Sequence, residues 1–360
     1  MTNVTGSPAQ RLLGSMLPDG WVVTERLERG PNLTGAAGSV GYRVETRDGQ
    51  RAFLKALDLT WALRRTANPS EMTTMVEFVT AAYNHERDLL RRCRNQRMRR
   101  VVSAITDGYV DIDPDSPIGV VPYLIFEEAD GDIRHYMDLS AAFDVAWALR
   151  SLHHVATGLS QLHSAEIAHQ DVKPSNVLVF GGRSSKVADL GSAALRTRAG
   201  PFDQAELVGD PAYAPPELLY RQISPEWNAR RFGCDAYLLG SLVVFFFARL
   251  SMTALLLDHL DKQFWPQRFS GGWNGDYAAV LPYVQDAFAK ALADFRSVVP
   301  LSFRSDLATI VNQLCEPDLA QRGHPKSRIP KGNPYSLERY VSRFNSLATR
   351  AEKGLMGPRV

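Results

Sequence analysis

The hydrophobic period of this chain changes between its two parts, from alternating runs to helical spacing, and that change limits the folds open to it. From Trp21 to Lys55 the residues alternate as strands do, in WVVTERLER, SVGYRVET and QRAFLKAL. A glycine-containing loop separates the first two runs, and Arg47-Asp48-Gly49 separates the last two. Asp-Gly between alternating runs specifies a hairpin. Residues 70–93 take helical spacing, with Met75, Phe78, Ala82, Leu89 and Leu90 on one face. Two more strand-like runs follow, RRVVSAIT and VPYLIFEE, joined by an acidic turn at 111–115. Beyond them, 139–162 reads as one helix with Phe143, Trp147, Leu149, Leu152, Ala156, Leu159 and Leu162 inward. Short strands VLVF and SKVAD interrupt the pattern, and helices resume near 234–250, 275–296, 302–315 and 336–353. Strands first and helices second give an α+β chain in two lobes.

Composition bounds the rest. At about 150 residues per domain, 360 residues make two compact units. With 45% hydrophobic and 22% charged residues the chain can bury a core. A net charge of +2 argues against a dedicated nucleic-acid partner. Cys93, Cys234 and Cys315 are too far apart for a local zinc knuckle and odd in number, so buried, reduced thiols are expected. No basic stretch followed by an apolar run opens the sequence, so no secretory signal is expected. The apolar stretch Leu238 to Leu257 reaches spanning length only by including Arg249, which costs about 2.5–3.5 kcal/mol at a membrane centre. A buried core helix is expected there instead, with no membrane partner and a cytoplasmic location.

Several residues could carry chemistry. Leu33 to Val40 forms a glycine loop between two strands, which excludes a dinucleotide-binding turn because that turn opens a helix. The loop is either a plain hairpin or a backbone cradle for phosphate. Lys55, in an apolar strand, either snorkels to the surface or meets an anion, and helical Glu86 is a candidate partner. The stretch from Ile167 to Leu178 is more specific. His169, Asp171, Lys173 and Asn176 fall within eight residues just before an apolar strand, and Asp189 follows at the next strand end, before Leu190-Gly191. One Asp to accept a proton, one Lys, and an Asn and Asp able to hold Mg²⁺ make a phosphoryl-transfer set.

Over residues 21–323 the sequence resembles the eukaryotic-type Ser/Thr protein kinases. HQDVKPSNVL is similar to the family's catalytic loop and ADLG to its metal loop. Val40 lies 15 residues before Lys55, the family spacing between glycine loop and strand lysine. Gly209 to Glu217 resembles the end of an activation segment, Asp235 the aspartate of the central helix, and Arg322 the arginine that pairs with Glu217. The resemblance implies a bilobal protein-kinase-like fold, with a small β-rich lobe over 20–128 and a large helical lobe over 129–323. A 1–19 extension precedes these lobes and a helical 324–360 extension follows them.

The resemblance also implies roles. Asp171 accepts the proton of the acceptor hydroxyl, and Lys173 neutralises the transferring group. Asn176 and Asp189 hold Mg²⁺. Gly35, Gly38 and Val40 belong to the ATP-binding glycine loop, and Lys55 contacts the α- and β-phosphates and is held by Glu86. Glu127 and Ala129 bind the adenine, and Asp132 the ribose. His169, Glu217, Asp235 and Arg322 are structural.

Some positions depart from the family. Gln170 replaces an arginine that usually receives an activation-segment phosphate, and residues 192–207 offer only Ser192 and Thr197 as hydroxyls. Leu33 replaces the first loop glycine. Phe53 replaces a small residue over adenine, where a phenyl ring either narrows the pocket or stacks on the base. Asp210 replaces a threonine and can pair with Lys173 or select an unusual acceptor. The long 58–73 interval leaves open a resting state with the Glu86 helix held off Lys55. Arg91, Arg92, Arg94, Arg97, Arg99 and Arg100 form either a solvated face or a dock for an acidic partner. His153-His154 is read as a packed pair, and the last helix as packing on the large lobe.

The expected function is transfer of phosphate from Mg-ATP to protein Ser or Thr, with ATP held between the lobes. A pseudokinase or a small-molecule kinase is the alternative. The stand-alone layout is read as bacterial.

Overall fold

The computed structural model describes residues 6–28, 38–64, 68–116, 118–139, 143–329 and 332–354. The chain divides into two compact units, Met1–Asp130 and Gly131–Val360.

The first unit carries strands β1 (Val22–Arg26), β2 (Ser39–Glu45), β3 (Arg51–Leu57), β4 (Ala104–Asp111) and β5 (Val120–Glu127), with helices α1 (Leu59–Leu63) and α2 (Pro69–Asn95). The strands form one antiparallel sheet in the order β1-β2-β3-β5-β4. Because side chains alternate along a strand, register decides which face each residue joins. Tyr42, Val44, Leu54, Ala56, Tyr123 and Ile125 lie on one buried face, packed with Ala9, Leu12, Leu17 and Trp21. Residues 6–19, set aside in the sequence as an extension, therefore belong to this core. The Tyr42 hydroxyl donates to the Ala9 carbonyl at 2.8 Å, and Ser7 donates to Asp58 at 2.9 Å. Lys55 and Phe53 alternate with this set and take the opposite face.

The second unit is mostly helical. Short strands β6 (Gly131–Asp132), β7 (Ile167–Ala168), β8 (Val177–Phe180), β9 (Ser184–Val187) and β10 (Ala194–Leu195) form a β6-β8-β9 sheet and a β10-β7 pair. The helices are α3 (Ile133–Leu139), α4 (Val145–Ser164), α5 (Pro216–Leu219), α6 (Gly233–Ala248), α7 (Met252–His259), α8 (Tyr277–Val298), α9 (Leu301–Leu314) and α10 (Glu338–Glu352). The β-rich then helical order is the expected α+β architecture.

The helix expected from 139 begins only at Val145, because Asp144 caps it by accepting from the Trp147 N–H at 2.9 Å. Phe143 falls outside it and is 41% exposed. The 238–257 run is also broken. Helix α6 stops at Arg249, which turns left-handed (φ 60°), and Ser251 caps a new helix. The segment Asn228–Ala248 is long and apolar enough to cross a membrane, yet 89% of its apolar window is buried inside the unit, as in a core helix. Helix α10 packs on α4, with Arg150 bonded to Glu352 and Asn345 and the Val341 carbonyl beside His153. All three cysteines are buried and free.

Candidate active site

Strand β3 delivers Lys55, and α2 meets it with Glu86. The ammonium lies 2.9 Å from each carboxylate oxygen, with Glu86 6% exposed. The long interval between them does not hold the helix away. Its residues are taken up by α1, whose start Asp58 caps through Thr60 and Trp61, and by extra turns of a 27-residue α2 capped at Asn68. The surplus therefore extends helices and leaves the pair closed. Phe78, on the expected inner face of α2, is 39% exposed.

The strand register separates two residues that spacing had grouped. Gly41 stands opposite Lys55, whereas Val40 stands opposite Ala56 and is buried with Leu54 on the other face. Val40 is thus not brought to the Lys55 side. Gly35 lies outside the described residues. Gly38 takes φ +83°, and a Cβ there would lie 2.9 Å from the Trp61 ring. Phe53 rests against Gly41, with its ring centroid 6.3 Å from that of Phe126. The Glu127 backbone pairs with Ala52, and its carboxylate accepts from the Ser103 N–H at 3.0 Å. Ala129 follows, half-buried.

The second unit gathers most of the remaining polar residues around one loop, 169–176. Two aspartates organise it. Asp235, fully buried at the start of α6, accepts from the backbone N–H groups of His169 (2.8 Å) and Gln170 (2.7 Å). A buried carboxylate needs such donors, and here they fix the loop's entry. The His169 ring lies between the Ala188 carbonyl (2.9 Å) and the Asp171 N–H (3.3 Å), tying the loop to the strand end before Asp189.

Asp171 is the second. Its Oδ1 accepts from the Asp210 N–H at 3.0 Å. Its Oδ2 accepts from Asn176 Nδ2 at 3.0 Å and sits 3.2 Å from Lys173 Nζ. Burial raises the Asp171 carboxyl from its ordinary value; Lys173 and His169 pull it down, and Asp189 adds to the rise. Lys173 is shared with Asp210 Oδ2 at 3.5 Å. The approach of that segment requires Gly209, whose φ is +81° and where a Cβ would lie 2.5 Å from the Gln170 carbonyl oxygen.

Asn176 also donates to the Asp171 carbonyl at 2.8 Å. Both bonds use Nδ2, which leaves Oδ1 as the face available to a cation, although Ser175 Oγ lies 3.4 Å from it. Asp189 ends its strand in the left-handed region (φ 66°) and accepts from the Gly191 N–H. Among the described residues there is no cluster of three or more His, Cys, Asp or Glu able to hold a metal. An amide oxygen and one carboxylate fit Mg²⁺, which keeps waters and substrate phosphates as its other ligands. Asp132 caps α3 and pairs with Arg134 at 2.7 Å.

Glu217 and Arg322 form a buried, two-pronged pair with both bonds at 2.7 Å. Burial works against the Arg322 charge, but Glu217 more than offsets it and the net direction is up. Arg322 also donates to the Glu316 and Gly233 carbonyls and lies over the Tyr237 ring.

A lysine–glutamate pair on a strand and helix, and a loop aspartate held by Asn, Lys and a later segment, are accompanied by a family-wide match. The family model for the protein kinase domain covers residues 34–264. The chain belongs to the protein kinase family. Curated relatives include an Aurora kinase of Debaryomyces hansenii, 29% identical over 33% of this chain and 28% of its own length. Cyclin-dependent kinase E-1 of Arabidopsis thaliana is 27% identical over 56% of this chain and 47% of its own. Human serine/threonine-protein kinase H2 is 28% identical over 48% and 46%. The chain thus spans less than half the length of each of these kinases.

Two features of this site escaped the sequence. One is the Asp210 backbone N–H, because a main-chain donor leaves no residue signature. The other is Arg231, which bonds to the Gln170 side chain across 61 residues. Its place in a π-helical turn gives no periodic cue. The arginine run is partly used within its own unit: Arg91 pairs with Asp107 at 2.8 Å, and Arg94 donates to the Ile105 carbonyl.

Proposed function

We propose that the chain is an ATP-dependent Ser/Thr protein kinase, transferring the γ-phosphate of Mg-ATP to protein hydroxyls, its own included. The observation that carries this reading is the Asp171 carboxylate, buried yet aimed by Asn176, Lys173 and the Asp210 N–H. In this reading Asp171 takes the acceptor's proton, and Lys173 stabilises charge on the transferred group. Lys55, held by Glu86, orients the α- and β-phosphates. Asn176 Oδ1 and Asp189 would hold Mg²⁺, which supplies charge neutralisation on the phosphates when bound. Such a reaction depends on positioning and electrostatic stabilisation more than on covalent chemistry, so fixed donors and charges are what it needs.

The Ser/Thr preference is supported by a lysine two residues after the catalytic aspartate and by the human relative's name. Three buried free thiols support a reducing, cytoplasmic setting. The exposed Arg97 and Arg99 are the part of the arginine run that best suits an acidic partner. A second reading, a nucleotide-gated binding module, is favoured by one observation, the Phe53 ring over Gly41.

The test is ADP release from Mg-ATP with protein acceptors and with small hydroxylated compounds, beside Asp171→Ala. Turnover on proteins alone supports the proposal. Turnover on small alcohols alone supports a small-molecule kinase, and tight nucleotide binding without turnover supports the binding module.

A further inference from the structure

Gln170 precedes Asp171 and takes a left-handed backbone (φ 64°), an uncommon conformation for a residue with a side chain. Such a conformation persists only where its surroundings hold it. The side chain is 4% exposed and engaged at both ends: Nε2 donates to the Ser192 carbonyl at 2.8 Å, and Oε1 accepts from Arg231 Nη1. Arg231 is itself 4% exposed, so its charge needs an anion. Asp203 provides it. Arg231 Nη2 donates to the Asp203 carbonyl at 3.0 Å and to Oδ1 at 3.3 Å. Arg230 donates to the Asp203 and Ala205 carbonyls, both at 2.9 Å, and the Gly200 N–H donates to Asp203 Oδ2 at 2.8 Å. Burial and the neighbouring Arg230 both disfavour the Arg231 charge, while Asp203 favours it.

We propose that Asp203, acting through Arg231 and Gln170, is a positioning residue for Asp171, so that the 192–207 segment holds the catalytic loop without an added phosphate. The chain carries its own anion on that segment, in contact with a buried cation. The exposed Thr197 is then not needed as a phosphate acceptor. This inference rests on the protein-kinase reading for its activity readout, but not for its structural one.

The experiment uses the full chain, treated with phosphatase, as wild type, Asp203→Asn, Asp203→Glu and Thr197→Ala. Asn keeps one oxygen for Gly200 or Arg231, and the Asp203 side chain is 27% exposed, so folding is retained and a thermal melt checks it. Amide exchange over 168–171 and 200–207 is measured without nucleotide. Phosphate transfer to casein and to the chain itself is then followed against ATP concentration. Asp203→Asn should exchange about tenfold faster at both stretches and lose about tenfold in maximal rate with the KM for ATP unchanged. Glu at 203 should restore both, and Thr197→Ala should match wild type. Unchanged exchange and rate in Asp203→Asn, or activity that returns only with phosphate on Thr197, overturns the proposal. A wild type that transfers no phosphate counts against the kinase reading, and the exchange result then decides the lock by itself.

Discussion

Lys55 Nζ sits 2.9 Å from both carboxylate oxygens of Glu86, with the lysine side chain 20% exposed and the glutamate 7%. The pair is closed in this chain despite the long interval that separates the two residues in sequence. Glu86→Gln keeps the shape and removes the charge that orients the ammonium. Phosphate transfer should fall on the order of a hundredfold with little change in melting temperature, as steady-state rates and a thermal melt would record.

Asp171 gives a pH signature of known sign. Its folded pKa is raised above the unfolded value of about 3.9, chiefly by burial. The native state therefore binds this proton more tightly than the unfolded chain. The stabilisation is full below the unfolded value and is lost as pH rises through the folded one. The melting temperature of wild type relative to Asp171→Asn should accordingly decline from pH 4 upward. The acidic limb of the rate profile should be displaced upward from that of an unperturbed aspartate.

Gly209 permits the close approach that brings the Asp210 N–H to Asp171. Alanine there meets the Gln170 carbonyl oxygen at 2.5 Å and takes a left-handed φ costing about 1–2 kcal/mol. Gly209→Ala should free the Asp210 amide to exchange and lower transfer about tenfold or more, while Lys55 and Glu86 stay paired.

The Glu217–Arg322 pair predicts a different outcome. Replacing Glu217 with Gln leaves a guanidinium of zero exposure without its anion. Unfolding free energy, from denaturant titration, should drop by about 3–5 kcal/mol.

The legible parts of the fold were those with strong periodicity. The β3 alternation placed Lys55 on a strand, and the apolar run at 234–248 is the core helix α6. Cross-strand information was not legible. Cross-strand register is a property of two chain segments, so spacing alone put Val40 with Lys55, whereas pairing puts Gly41 there. Helix starts depend on caps: Asp58 and Asp144 each start a helix, and both are legible from the residues that follow them. Residues 6–21 have no sustained period, yet Leu12 and Leu17 are fully or nearly buried beneath the sheet.

The site divides in the same way. His169, Asp171, Lys173 and Asn176 are close in sequence, so their order already fixed their company. The Arg231, Gln170 and Asp203 contacts join distant segments through side chains of ordinary type, and only folding brings them together.

Intact-mass and peptide mass spectrometry of the full chain with Mg-ATP, beside Asp171→Ala, is the most direct test of the central claim. The account predicts phosphate on Ser or Thr in the wild type and none in the variant. Equal phosphate in both, or none in the wild type with protein acceptors present, would contradict it.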